Sequence, residues 1–186
     1  AVGLAFSLGL VLVVVAGAEL FTGNNLIVMA WASKRISTGR LLANWGWVYA
    51  GNLAGAAGTA WLLHKTGFWK AGDCQVGATV LKTAMAKASL GPAQAFFSGV
   101  ACNVLVCLAV WLAYGARSVT DKIFAVVFPV SAFVVLGLEH CVANLFFLPM
   151  GRLLAGEGSV LAAGGWTAID PAVLSIQGMA RNLVPV

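Results

Sequence analysis

Residues Gly137 to Phe146 read GLEHCVANLF. They place a glutamate, a histidine and an asparagine inside an apolar run, Ile123 to Pro149, that is otherwise suited to lipid. An ionisable side chain in the hydrocarbon layer costs roughly 2.5–3.5 kcal/mol on insertion scales, and by default it marks a pathway or a relay. Whether that default applies depends on the solvent of the chain. The sequence is 61% hydrophobic and 9% charged, with a mean hydropathy of +0.94. Soluble domains carry about 25% charged residues. A shortfall this large predicts an all-α membrane protein.

The net charge of +5 does not call for nucleic acid, because the basic residues sit in short connectors such as KRISTGR (Lys34 to Arg40), as in loops beside membrane spans. The four cysteines form no CxxC pair, so neither a zinc site nor a redox framework is expected, and no cofactor is implied. The opening AVGLAFSLGLVLVVVAGA lacks the basic region of a secretory signal. It reads as the interior of a longer protein, and so does the closing NLVPV.

A helical span needs roughly 20 apolar residues. Spans are expected at about 41–63 and 92–116, with a last helix opening near Asn182. Lys34 to Arg40 and Arg117 to Lys122 are short basic turns assigned to the cytoplasmic side. Within the polar stretch 64–91, VLKTAMAKAS reads as a short surface helix. Two stretches, 1–33 and 123–149, exceed one straight crossing. The first is interrupted by GAELFTGNN, with a break expected near Glu19 to Gly23, and the second by GLEHCVAN. Glu19-x4-Asn24 and Glu139-x4-Asn144 share one spacing. Broken helices at matching places in two halves are the signature of transport proteins with inverted repeats.

Irregular backbone at membrane depth survives only where protein or water satisfies it. The breaks therefore imply a lined cavity, and half-helix N-termini facing it favour small anions. His140 is the histidine of an apolar run, and histidine titrates near neutral pH unaided. Thr22 and Asn103, each a polar element of its own span, are its expected hydrogen-bond partners. On a helix Glu139 would point about 100° away from His140. Glu139 and Glu19 are accordingly given supporting roles at the breaks, together with Asn24 and Asn144. Glu139 either accepts freed N–H groups or pairs with a cation such as Lys122. EHCVA reverses the first letters of the zinc-protease motif HExxH and lacks its second histidine, so an enzyme is not expected. A structural subunit of a membrane complex is the competing reading, and a flux assay separates the two.

At these residues the chain resembles the formate/nitrite transporter family. FSLGLVLVVVAGAELFTGNNLIV (Phe6 to Val28) is similar to its broken second helix, and RSVTDK to the turn between its fourth and fifth helices. GLEHCVANLFFLPMG resembles its broken fifth helix with the central histidine, and NLVPV the start of its sixth. By this comparison the family's first helix and most of its sixth lie outside the sequence. The resemblance implies an aquaporin-like bundle in a homopentamer of the cytoplasmic membrane, each protomer passing small monovalent anions. It maps the central histidine to His140, the loop threonine to Thr22, the polar residue of helix four to Asn103 and the vestibule lysine to Lys122. Apolar constrictions map to Phe6, Leu10, Leu20 and Phe133. Within the family the sequence looks closest to formate channels, with nitrite and hydrosulfide as alternatives. Two routes past the constriction are open: His140 lends a proton so that the neutral acid crosses, which is the preferred reading, or the anion passes while the field of the breaks compensates its charge.

Overall fold

The structure is a computed structural model and describes residues 2–186. Its regular elements are all helical, with no strand among the described residues. In chain order they are α1 (Val2–Ala16), α2 (Phe21–Asn24), α3 (Val28–Ala32), α4 (Thr38–Thr66) and α5 (Gln75–Ala88). There follow α6 (Pro92–Gly115), α7 (Val119–Val135), α8 (Cys141–Leu154), α9 (Gly158–Gly164) and α10 (Ile176–Leu183). A 3₁₀ turn, Asn25–Ile27, joins α2 to α3, and a second, Phe68–Lys70, follows α4. Among the described residues α6 alone is long and apolar enough to cross a membrane unaided. Two bent pairs pass the same test, α1 with α2–α3 at 59° and α8 with α9 at 104°.

The chain divides into two compact units. The first holds Ala1–Asn52 and Ser98–Leu138, the second Leu53–Phe97 and Glu139–Val186. The long helices α4 and α6 contribute a part to each.

In the first unit α1 lies along α7, and small residues allow the approach. A Cβ on Gly3 would meet the Ser131 backbone at 3.0 Å, and the buried Ser7 hydroxyl donates back to Gly3 O at 2.8 Å. Small residues at helix contacts are how bundles pack in lipid, where apolar burial itself offers little drive. Below that contact Leu10, Val126, Val130 and Phe133 pack with Cys102, Val106, Ala109 and Val110 of α6. Helix α7 begins in a capping box: Ser118 Oγ accepts from Asp121 N–H and the Asp121 carboxylate accepts from Ser118 N–H. Lys122 thus lies inside a helix, not in the polar turn that RSVTDK suggests.

In the second unit α5 packs against α8 and α9 through Leu81, Ala84, Leu148, Leu154 and Val160. Gly151 of α8 is required there, since a Cβ would stand 2.3 Å from Ala84 Cβ. The segment expected as a short surface helix is therefore a 14-residue helix with one face buried. Alternating lysines and small residues conceal that face in the sequence, because alanine and glycine bury by closeness and not by size. Helix α10 starts at Ile176, where Ser175 Oγ accepts from Gly178 N–H at 3.0 Å. Asn182 consequently sits near its end and not at its beginning.

Candidate functional site

Two helix breaks, at Gly17 to Leu20 and at Gly137 to His140, are built alike. Helix α1 ends on Gly17 at φ +73°, with Ala18 N–H bonded to Val13 O at 3.0 Å. Helix α7 ends on Gly137 at φ +65°, with Leu138 N–H bonded to Phe133 O at 3.0 Å. Both are left-handed glycine caps with the six-to-one bond that satisfies a terminal carbonyl. The first break therefore runs from Gly17 to Leu20, earlier than expected, and Thr22, Gly23 and Asn24 are already helical. The glycine cap, not the polar run after it, ends the helix.

Two residues past each glycine stands the glutamate. Asn24 Nδ2 donates to Glu19 Oε2 and, at 3.1 Å, to Asn44 Oδ1 of α4. Asn144 Nδ2 donates to Glu139 Oε2 at 2.6 Å and to Asn182 Oδ1 of α10 at 2.7 Å. In both breaks, then, an asparagine five residues on clamps the glutamate and meets an asparagine from a further helix. Asn52 strengthens the first clamp. Its Oδ1 accepts from Phe21 N–H at 2.9 Å and its Nδ2 donates to Glu19 O at 3.1 Å, so one amide serves the opened backbone on both sides.

The second clamp is the more deeply buried. Glu139 is 5% exposed. Its Oε1 accepts from Lys87 Nζ of α5 at 2.8 Å, and its Oε2 also accepts from Asn182 Nδ2 at 3.2 Å. Asn182 Nδ2 closes the ring by donating to Lys87 O at 2.9 Å. A buried carboxylate needs this much company, since a charge out of water costs several kcal/mol unless it is paired and hydrogen-bonded. The cation that meets Glu139 is thus Lys87, not Lys122. Lys122 is half-buried in the first turn of α7 and makes no ion pair among the described residues.

The residue between clamp and helix occupies the same conformation in both breaks. Leu20 caps α2 at φ −119°, ψ 123°, and its carbonyl accepts from Asn24 N–H at 2.9 Å. His140 caps α8 at φ −120°, ψ 113°, and its carbonyl accepts from Asn144 N–H at 2.9 Å. The side chains differ in kind. Leu20 packs against the apolar cluster of the first unit, whereas the buried imidazole of His140 accepts from Ala143 N–H at Nδ1, 3.1 Å away. An Nδ1 that accepts carries no hydrogen, so the ring's proton sits on Nε2. Glu139 and His140 both lie in extended backbone ahead of α8, so the 100° helical separation does not govern them.

Of the other expected residues, Phe6, Leu10, Leu20 and Phe133 come together in the apolar cluster of the first unit. The Phe6 and Phe133 rings meet edge to face with centroids 5.6 Å apart. Thr22 is buried in α2, and its carbonyl accepts from Cys107 Sγ at 3.7 Å. Asn103 of α6 carries a buried Oδ1 with no donor among the described residues. Sequence reading missed Asn44, Asn52 and Lys87, and took Asn182 only as a helix start. The available signal was a set of asparagines in otherwise apolar helices. No group of three metal-ligating side chains occurs among the described residues.

A family model for formate/nitrite transporters matches residues 1–186, the entire sequence. The chain belongs to the formate/nitrite transporter family. Its relatives include the formate channel FocA of Escherichia coli K12, 42% identical over 190 residues, covering 99% of this chain and 66% of that protein. FocA of Haemophilus influenzae is 43% identical over 153 residues, covering 82% of this chain and 54% of that one. Among solved structures, a pentameric formate channel with formate bound superposes with a TM-score of 0.90 at 41% identity, covering 98% of this chain and 73% of its own. The chain thus spans two thirds or less of the length of these two curated relatives. The all-helical fold of the family's solved channels is the fold of this chain.

Proposed function

We propose that the protein to which this chain belongs is a channel for small monovalent anions, formate foremost, in which His140 couples a proton to anion passage. The observation that carries this reading is the pair of like-built breaks with unlike cap residues. One clamp presents Leu20, the other a titratable imidazole whose Nδ1 serves the cap. A formate anion cannot cheaply cross an apolar constriction, because its charge loses water with nothing in exchange. A proton taken from an imidazolium removes that charge and sends the neutral acid through.

On this reading His140 and Thr22 contact the passing acid. Asn103 supplies an acceptor, and Phe6, Leu10, Leu20 and Phe133 form the constriction that excludes water. Glu19, Asn24, Glu139 and Asn144 hold the breaks, and Lys122 draws anions to the entrance. The bundle is aquaporin-like, assembles as a homopentamer, a reading supported by a solved relative described as a pentameric formate channel, and resides in the cytoplasmic membrane. Catalysis has no part in it.

The test is uptake by vesicles containing the full-length protein, with formate, nitrite and hydrosulfide supplied at an acidic and at a neutral pH. Formate uptake is expected to exceed the other two and to rise at the lower pH. Nitrite or hydrosulfide flux above that of formate reassigns the substrate, and absence of flux for all three returns the protein to a structural role.

A further inference from the structure

We infer that the loop between α3 and α4 is a binding site for the phosphate of an anionic lipid headgroup. A solvent-open surface cavity of about 620 Å³ there is lined by the exposed Trp31, Lys34, Arg35, Thr38 and Arg40, with Ile36 and Ser37 between. Its lining holds three cations and no acidic residue, and none of the three is in an ion pair among the described residues.

Their placement is electrostatically one-sided. Helix α4 is 29 residues long and has no acidic residue in its first turn, where Arg40 stands instead. A helix N-terminus carries partial positive charge and favours Asp or Glu, so a cation there adds to the potential. Lys34 and Arg35 reach the same cavity from the end of α3, where Lys34 takes the left-handed cap position at φ +57° and Arg35 N–H bonds Ala30 O at 2.8 Å. Serving the C-terminus of α3 accounts for Lys34. Arg40, on the opposite helix end, adds its charge to the same region.

A lipid is favoured over free phosphate by what surrounds the charge. Val28, Met29, Trp31 and Leu42 are exposed within about two turns of the cations, offering acyl chains an apolar track beside the headgroup site. Trp31 Nε1 donates to Thr38 Oγ1 at 3.0 Å, which ties the end of α3 to the start of α4 and fixes an aromatic ring at the cavity edge. An interfacial tryptophan beside basic residues is the usual composition of a membrane boundary.

Each cation near an anionic surface contributes roughly a fivefold factor in affinity. The experiment uses the full-length protein in detergent and native mass spectrometry with phosphatidylglycerol, phosphatidylcholine and inorganic phosphate in separate arms. Retained phosphatidylglycerol adducts are expected, few with phosphatidylcholine, and loss of about a hundredfold in phosphatidylglycerol affinity in Lys34→Gln/Arg35→Gln/Arg40→Gln. Should the triple variant fold poorly, Arg40→Gln alone is expected to lose roughly fivefold. Equal retention of the two lipids, or unchanged binding in these variants, overturns the site. Displacement of the lipid by dilute inorganic phosphate overturns the choice of a lipid.

Discussion

His140 performs two tasks at once, and two substitutions separate them. Its Nδ1 caps α8 by accepting from Ala143 N–H at 3.1 Å, and in the proposed mechanism it carries a proton. An imidazolium has hydrogen on both nitrogens, so the proton-loaded ring must release Ala143. Loss of an N-cap costs about 1 kcal/mol, and a buried N–H left without an acceptor costs roughly 1–3 kcal/mol. His140→Asn keeps an acceptor of similar reach and removes titration, whereas His140→Phe removes both. The phenylalanine variant is therefore expected to be less stable than the asparagine variant by about 1–3 kcal/mol, read as a lower thermal midpoint in detergent. In vesicles both variants are expected to lose the rise in formate uptake that the wild type shows as pH falls. If His140→Asn retains the wild-type pH dependence, the proton is carried elsewhere. Equal midpoints for the two variants would show that the cap contributes nothing.

Lys87→Met leaves the buried Glu139 carboxylate without its cation. A destabilisation of about 3–5 kcal/mol is expected, with much of it recovered in Lys87→Met/Glu139→Gln, as thermal midpoints will show. Gly151→Val forces a side chain onto Ala84 and is expected to cost about 1–3 kcal/mol or more, visible as poor extraction of folded protein. Leu10→Ala opens the apolar cluster of the first unit, and the flux of nitrite relative to formate is expected to rise; an unchanged ratio assigns the constriction to other residues. Lys122→Ala is expected to slow anion entry at low concentration and low ionic strength only, and equal initial rates there remove its steering role.

The sequence exposes the breaks because a glutamate and an asparagine in an apolar run have no cheap place to go. It exposes their kinship because Glu-x4-Asn recurs. Their partners are hidden because pairing in lipid is set by where helices cross, not by spacing along the chain. Lys87 lies 52 residues before Glu139 and Asn182 lies 38 after Asn144, and nothing local in either marks the match. Lys122, closer in sequence, was the natural guess for Glu139. The first break is misplaced for a different reason. Gly17 closes α1 by backbone geometry, while the more polar Thr22 to Asn24 is held helical by amides from α4. The buried face of α5 is muted in the sequence because only Leu81 there is large and apolar, while Gly77, Ala78 and Ala84 signal little by hydropathy and much by closeness.

The cap position before α2 and α8 is held from outside itself. Glycine ends the preceding helix, while glutamate and asparagine fix the opened chain, so leucine and histidine take the same backbone there within ten degrees in either angle. A residue whose backbone is held by its neighbours can change its side chain by single substitutions without losing the opened conformation. The two halves of one scaffold can in this way acquire different chemistries while keeping the same frame.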